Sequence, residues 1–473
     1  MRHYPNFYID GAWVAPVTPK SAEVINPATE VVSGTISLGS ADDVDRAVAA
    51  ARKAFPGWSQ STVAERLDLL RAIQSQYSRR QRELGEAVTE EMGAPIALGC
   101  GFHTGLGAGH LQTAIDVLTD FKFEEQRGST MILREPIGVC GLITPWNWPL
   151  NQVTVKVFPA LATGCTSVLK PPQLAPYSAQ ILAEMFDDAG TPAGVFNMVQ
   201  GAGSVIGSAL SKHADVDMIS FTGSEPVGVQ ISKDAADTVK RVGLELGGKS
   251  AWVILDDADL PANVGAATAG MMVNAGQTCS AGSRLLVPNS RMAEAVEAAT
   301  TAANGVTVGD PLSDVGMGPV VSKAQWTIVQ DYIQKGLDEG GRMIAGGLGK
   351  PDGLERGYYC KPTVFVTTND TTIAREEIFG PVLVIIGYDD LDHAVAIAND
   401  SPFGLGGYVS GRDVDAARNV ARRMRTGAVW INGGFDFHAP FGGYKGSGNG
   451  REWGEFGFHE YLEVKAISGF GTT

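Results

Sequence analysis

From residue 138 onward the sequence alternates short apolar runs with longer segments of helical spacing, and this rhythm restricts the chain to parallel strands joined by crossover helices. The spacing predicts strands at 139–144, 167–169, 195–199, 218–221 and 251–255, with helices at 151–163, 178–189, 203–212 and 226–240. A second α/β pattern is predicted over 260–440, with helices at 261–275, 323–339 and 413–425 and strands at 363–366, 382–386 and 428–431. The N-terminal stretch reads as strand and turn. After it, Ser40, Asp42 and Asp43 ahead of Val44, Ala47, Val48, Ala51 and Phe55 predict a helix that Pro56-Gly57 ends, and a further helical tract follows from Thr62 through Leu84.

A chain of 473 residues exceeds what one core organises, so at least two α/β units with a cleft between them are expected. No repeat, low-complexity tract or proline-rich linker separates the units, which places them against each other with the cleft at their interface.

A formal net charge of −15 without a compensating Lys/Arg run excludes a phosphate-backbone or anionic-membrane binder. Met1-Arg2-His3-Tyr4-Pro5-Asn6 has no apolar leader core, and no long stretch is apolar throughout, so a cytoplasmic protein is expected. Five scattered cysteines, Cys100, Cys140, Cys165, Cys279 and Cys360, read as reduced thiols. The seven histidines are dispersed and no HExxH or paired CxxC is present, so no metal centre is expected.

Gly276-Gln277-Thr278-Cys279-Ser280-Ala281-Gly282 sets one cysteine among small residues just after a predicted helix, leaving room for a substrate at the sulfur. The other four keep the commoner reading of small buried hydrophobes. Leu244-Glu245-Leu246-Gly247-Gly248-Lys249 holds a carboxylate between leucines, where desolvation raises its pKa toward that of a general base; the alternative is a solvated strand-end glutamate. Thr144-Pro145-Trp146-Asn147-Trp148-Pro149 ends a strand with an amide in a rigid turn, read either as a neutral donor or as turn chemistry. Phe221-Thr222-Gly223-Ser224-Glu225-Pro226 runs from a strand into a helix whose free N–H groups suit a phosphate, although it is not the GxGxxG fingerprint. Gly201-Ala202-Gly203-Ser204-Val205-Ile206-Gly207 is nearer to that fingerprint but equally reads as a helix-entry turn.

Taken in order, PWN at 145–147, FTGS at 221–224, LELGGK at 244–249, GQTC at 276–279, EEIFGPV at 376–382 and PFGGYK at 440–445 resemble the aldehyde dehydrogenase superfamily. The resemblance implies an α/β fold with a Rossmann-like cofactor-binding domain (1–117 and 137–246), an α/β catalytic domain (247–446) and a small β oligomerisation element (118–136 and 459–473). It implies a homodimer or homotetramer, and NAD or NADP as cofactor.

By the same resemblance Cys279 is the nucleophile toward an aldehyde, Asn147 with the Cys279 backbone N–H stabilises the oxyanion, and Glu245 activates the water that cleaves the thioester. Lys156 and Glu452 match a proton path, or else form a structural ion pair. Ile143, Trp146, Lys170, Gln173, Gly203, Gly223, Ser224, Glu377 and Phe379 are implied on the cofactor side. Trp148, Gln152, Val155, Thr278, Ser280, Phe435 and Phe441 are implied along the substrate tunnel. Gln173 stands where many NAD-preferring relatives have Glu, and a neutral amide does not repel a 2′-phosphate, so use of both cofactors is expected. Relatives acting on succinate semialdehyde commonly have Arg at the position of Val155, and the uncharged lining points to a medium-chain aliphatic or aromatic aldehyde. The alternatives are a coenzyme A-acylating semialdehyde dehydrogenase, against which Glu245 argues, and a catalytically silent binding relative, against which the intact Cys279, Glu245 and Asn147 argue.

Overall fold

In the computed structural model, which describes residues 1–471, the chain forms two large sheets and three small ones among the described residues, one of the small ones carrying the C-terminal strand. The first sheet runs Gly448–Asn449, Arg241–Glu245, Met218–Thr222, Val139–Ile143, Thr166–Lys170, Phe196–Met198, Phe7–Ile9, Ala12–Val14. Its five central strands are parallel. Val139–Ile143 and Thr166–Lys170 are buried at every position, as expected of parallel strands covered on both faces. Phe158, Phe186 and Phe196 fill one face, and Val44, Ala47 and Val48 of the first helix cover the other. Each such ring contributes about 1.5–3 kcal/mol on burial.

The second sheet runs Arg342–Ala345, Thr363–Val366, Val382–Tyr388, Arg284–Pro288, Ala251–Ile254, Gly406–Ser410, Ala428–Ile431, and has its own core. The third is the hairpin Glu124–Arg127 and Thr130–Pro136, with Leu462–Ser468 antiparallel to its second strand from Leu462↔Pro136 to Ser468↔Thr130. The last two residues of the expected 459–473 element lie outside the described residues. No helix among the described residues is long and apolar enough to cross a membrane.

Several predicted boundaries shift. The first helix, Ala41–Trp58, continues past Pro56-Gly57. A proline in the last turn forfeits one backbone bond there but does not stop the residues that follow. The second helix, Val63–Met92, is capped by the Thr62 hydroxyl and ends at Gly93 in the left-handed region, well beyond Leu84. The helix predicted at 226–240 stops at Ala236, and Arg241–Glu245 is a strand that periodicity did not single out. Also unpredicted are the strands Arg284–Pro288 and Gly406–Ser410 and the helices Thr104–Asp120 and Met292–Asn304.

Candidate active site

The connections of the first sheet reverse direction between Val139–Ile143 and Met218–Thr222: the chain steps outward through Thr166–Lys170 and Phe196–Met198, then returns to the other side. Ligands of open α/β sheets bind at such a switch point, beyond the carboxyl ends of the strands. Ile143, Lys170, Thr222 and Glu245 all lie at those ends, joined by the pairings Ile143↔Lys170, Phe221↔Ile143 and Thr222↔Glu245.

Two of these strand ends, Thr222 and Glu245, line one cavity with Cys279. Three consecutive residues before it, Asn274, Ala275 and Gly276, have φ of 55, 53 and 71°. Two of these are non-glycine residues in the left-handed region, which costs of order 1–3 kcal/mol each and is tolerated where the surroundings over-determine it. At Gly276 a Cβ would stand 2.1 Å from the Gly380 carbonyl oxygen, so only glycine passes. Buried amides hold the turn. Asn274 Nδ2 donates to the Asn147 carbonyl at 2.8 Å, Asn147 Nδ2 to the Gln277 carbonyl at 3.1 Å, and Gln277 Nε2 to the Asn274 carbonyl at 2.9 Å.

Cys279 lies where two cavities meet, and Thr222 shares that position. One cavity, about 230 Å³, is lined by Pro145, Trp146, Asn147, Gly223, Ser224, Gly247, Glu377 and Phe379. The other, about 370 Å³, opens past Trp148, Gln152, Thr278, Ser280, Phe435 and Phe441, with Glu245 and Glu452 as its only ionisable carboxyl or basic side chains among the described residues. Burial pushes the Cys279 thiol up to about 12, and the carboxylates of Glu377 and Glu245 add to this. The thiol is therefore the resting form, and its proton must leave as sulfur attacks.

Glu245 is 4% exposed, which rejects the solvated reading, and neither carboxylate oxygen has a hydrogen-bond partner among the described residues. Burial, then the neighbouring Glu452, raises it well above the ordinary carboxylate range, against the pull of Lys156 and Arg451. Lys156, fully buried, is ion-paired with Glu452 and donates to Ser220 Oγ at 2.9 Å. A cavity of about 10 Å³, room for a single water, lies among Ser220, Glu245 and Glu452.

On the side of the smaller cavity, Gly248 N–H donates to Glu377 Oε1 at 2.9 Å, and a Cβ on Gly247 would stand 2.3 Å from Oε2. Burial raises Glu377 to about 7. Trp146 and Phe379 meet edge to face at 5.4 Å. Ser224 precedes the helix Glu225–Ala236, whose first turn carries Pro226. Lys170 is buried at its strand end and lowered to about 8 by desolvation, with Gln173 half-buried just beyond.

Five expected residues fall elsewhere, Lys170 and Gln173 among them, since neither lines either cavity. Val155 does not line the larger cavity: it faces the small one behind Glu245, because its helix Pro149–Thr163 turns that side toward Met218 and Tyr461. The Ile143 side chain packs into the core beneath the sheet rather than into either cavity. Gly203 opens a π-helical turn, Gly203–Gly207, and borders neither cavity.

Sequence reasoning missed much of the larger cavity's wall. Trp252, Tyr408 and Trp430 stack at 4.8 and 4.9 Å across three neighbouring strands, and Tyr408 donates to the Ser280 carbonyl at 3.0 Å. Phe102, Leu106 and Trp453 complete it. An aromatic residue within each of these segments was a visible signal, but the register Trp252↔Tyr408↔Trp430 was not.

A model of the aldehyde dehydrogenase family matches residues 13–467. A 3-succinoylsemialdehyde-pyridine dehydrogenase of a Pseudomonas species is 54% identical over 474 residues, covering 99% of each chain. Among solved structures, a cysteine-to-alanine mutant of aldehyde dehydrogenase C from Pseudomonas syringae, complexed with NAD+ and octanal, superposes with a TM-score of 0.98 at 49% identity, covering 99% of this chain and 97% of that one. An aldehyde dehydrogenase of Mycobacterium tuberculosis complexed with NAD+ gives 0.97 at 41% identity, covering 100% and 99%. The chain belongs to the aldehyde dehydrogenase family and has its fold. It is an NAD(P)-dependent aldehyde dehydrogenase.

Proposed function

We propose that this enzyme oxidises uncharged medium-chain aliphatic or aromatic aldehydes to the free acid, through a thioester on Cys279 that water cleaves. The observation that carries the reading is the position of Cys279 at the junction of two cavities, one polar and glycine-edged, the other aromatic. The relatives that bind octanal or are named for a pyridine-bearing semialdehyde support the substrate class.

The smaller cavity fits a dinucleotide. Ser224 and the first turn of its helix suit the pyrophosphate and Glu377 a ribose hydroxyl, while Lys170 and Gln173, outside that cavity at and beyond a neighbouring strand end, suit the adenosine end. When bound, the nicotinamide supplies the acceptor for the hydride that leaves the substrate carbon. Gln173 leaves room for NADP beside the NAD+ seen with the relatives. By this reading the unit around the first sheet, 1–117 and 137–246, binds the cofactor, and 247–446 carries the nucleophile.

Cys279 attacks the carbonyl carbon as its thiol proton passes to solvent through the open larger cavity, giving a tetrahedral oxyanion that the Asn147 amide and the Cys279 N–H stabilise. Glu245, uncommitted and facing the same cavity, takes the proton of the hydrolytic water. Its presence favours water over coenzyme A as acyl acceptor. Lys156 and Glu452, behind it, carry that proton away.

The third sheet exposes apolar side chains, with Val464 at 68% and Ile467 at 37% exposure, which supports an oligomerisation role and a homodimer or dimer of dimers. Five free thiols agree with a cytoplasmic location.

Steady-state oxidation of aliphatic, aromatic and carboxylate-bearing aldehydes, each with NAD and NADP and with the acid product quantified, tests the proposal. Turnover of the uncharged aldehydes, lost in Cys279→Ala with cofactor binding kept, is expected. An absolute requirement for coenzyme A overturns it.

A further inference from the structure

His103 is fully buried and closes a π-helical turn, Gly99–His103, at the start of the helix Thr104–Asp120. Such turns are rare and concentrate at functional sites. The imidazole stacks on the Trp148 indole, with centroids 4.2 Å apart and planes 29° from parallel. The same indole lines the larger cavity and donates from Nε1 to Thr278 Oγ1 at 2.9 Å.

Neither ring nitrogen has a hydrogen-bond partner among the described residues, and the Asn274 carboxamide, which donates to the Asn147 carbonyl one residue before Trp148, is the side chain that acts on the ring. Asn274 Oδ1 is likewise buried without a partner. Two unspent groups, one a donor and one an acceptor, thus lie buried near the Asn147–Trp148 link, where leaving both unpaired costs about 1–3 kcal/mol each. Burial drives the imidazole down to about 3, so it is neutral and keeps one ring N–H to give.

We propose that His103 is a positioning residue for the cysteine turn, its ring N–H directed at Asn274 Oδ1. An amide has two ends. With Oδ1 held by His103, Nδ2 points to the Asn147 carbonyl, and through it the orientation of Asn147 and the Gln277–Cys279 backbone follows. Turned the other way, the carboxamide would set its oxygen against that carbonyl. This rests on the reading of Cys279 as nucleophile and Asn147 as oxyanion donor.

The test compares His103→Phe, which keeps a flat ring for Trp148 but has no N–H, with His103→Gln, which restores a donor; His103→Leu replaces the first if it does not fold. His103→Phe should slow the burst of reduced cofactor and kcat by about tenfold, with aldehyde KM and cofactor Kd within about twofold, and His103→Gln should recover most of the rate. A merely structural role lowers thermal stability in each without separating them by donor capacity. Equal burst rates for Phe and Gln, with an acyl-enzyme on Cys279 seen by intact mass in wild type, overturn the role of His103 alone. Absence of that acyl-enzyme overturns the underlying reading as well.

Discussion

The Trp148 indole N–H donates to the Thr278 hydroxyl at 2.9 Å across 130 positions of sequence, tying the residue before Cys279 to the helix that starts at Pro149. Thr278→Val removes the acceptor and strands a donor in the cavity wall. A loss of about 1–3 kcal/mol is expected in urea unfolding, together with a lower kcat. Unchanged values for both would show that the bond does not hold the turn.

Glu245→Gln keeps shape but removes the base. Acylation survives better than hydrolysis, so a burst of reduced cofactor followed by stalled turnover is expected in stopped flow. Intact-protein mass should show the acyl adduct, and steady turnover at wild-type rate would contradict the role.

Lys156→Met leaves Glu452, only 12% exposed at its side chain, without its cation. Removing one member of a buried pair costs about 3–5 kcal/mol, readable as a fall in the denaturant midpoint. Lys156→Met with Glu452→Gln should recover part of that loss. If the double variant is the weaker one, the pair is not what stabilises the site.

His110 is buried against the Asn151 carboxamide at 2.7 Å and lowered to about 4 by desolvation. Its folded pKa lies below the unfolded value of about 6.5, so its contribution is complete above pH 6.5 and is lost as pH falls toward 4. Glu91 and Glu377, raised to about 7 by burial, act in the opposite direction, so the measurement is a difference. The fall in Tm between pH 7 and pH 4.5 should be smaller in His110→Gln than in the parent. An identical fall in both removes His110 from the account.

Gln173→Glu places a carboxylate beside the adenosine end of the cleft. It should lower kcat/KM with NADP by about tenfold or more and change that with NAD little, because only the 2′-phosphate is repelled. Equal effects on the two would move Gln173 away from the ribose.

The two α/β units were legible because parallel strands buried on both faces must be apolar throughout, and Val139–Ile143 and Thr166–Lys170 are. Arg241–Glu245 was not: only Leu244 and Glu245 are buried, and its neighbour on one side is the distant pair Gly448–Asn449. Gly276 was legible as a small residue beside Cys279, but not its approach to the Gly380 carbonyl, which pairs segments far apart in sequence. Val155 was assigned to the wrong cavity because a residue's place in a motif does not say which face of a helix meets which space.

By itself the sequence determined the family and the α/β rhythm and singled out Cys279, Glu245 and Asn147 as candidates, because each is carried by neighbours along the chain. Tertiary structure alone decided that Cys279 stands between two cavities, that Trp252, Tyr408 and Trp430 form one wall, and that His103 stacks on Trp148. Those are contacts between strands and helices whose order in space is set by how two cores pack, and packing is not a local property of sequence.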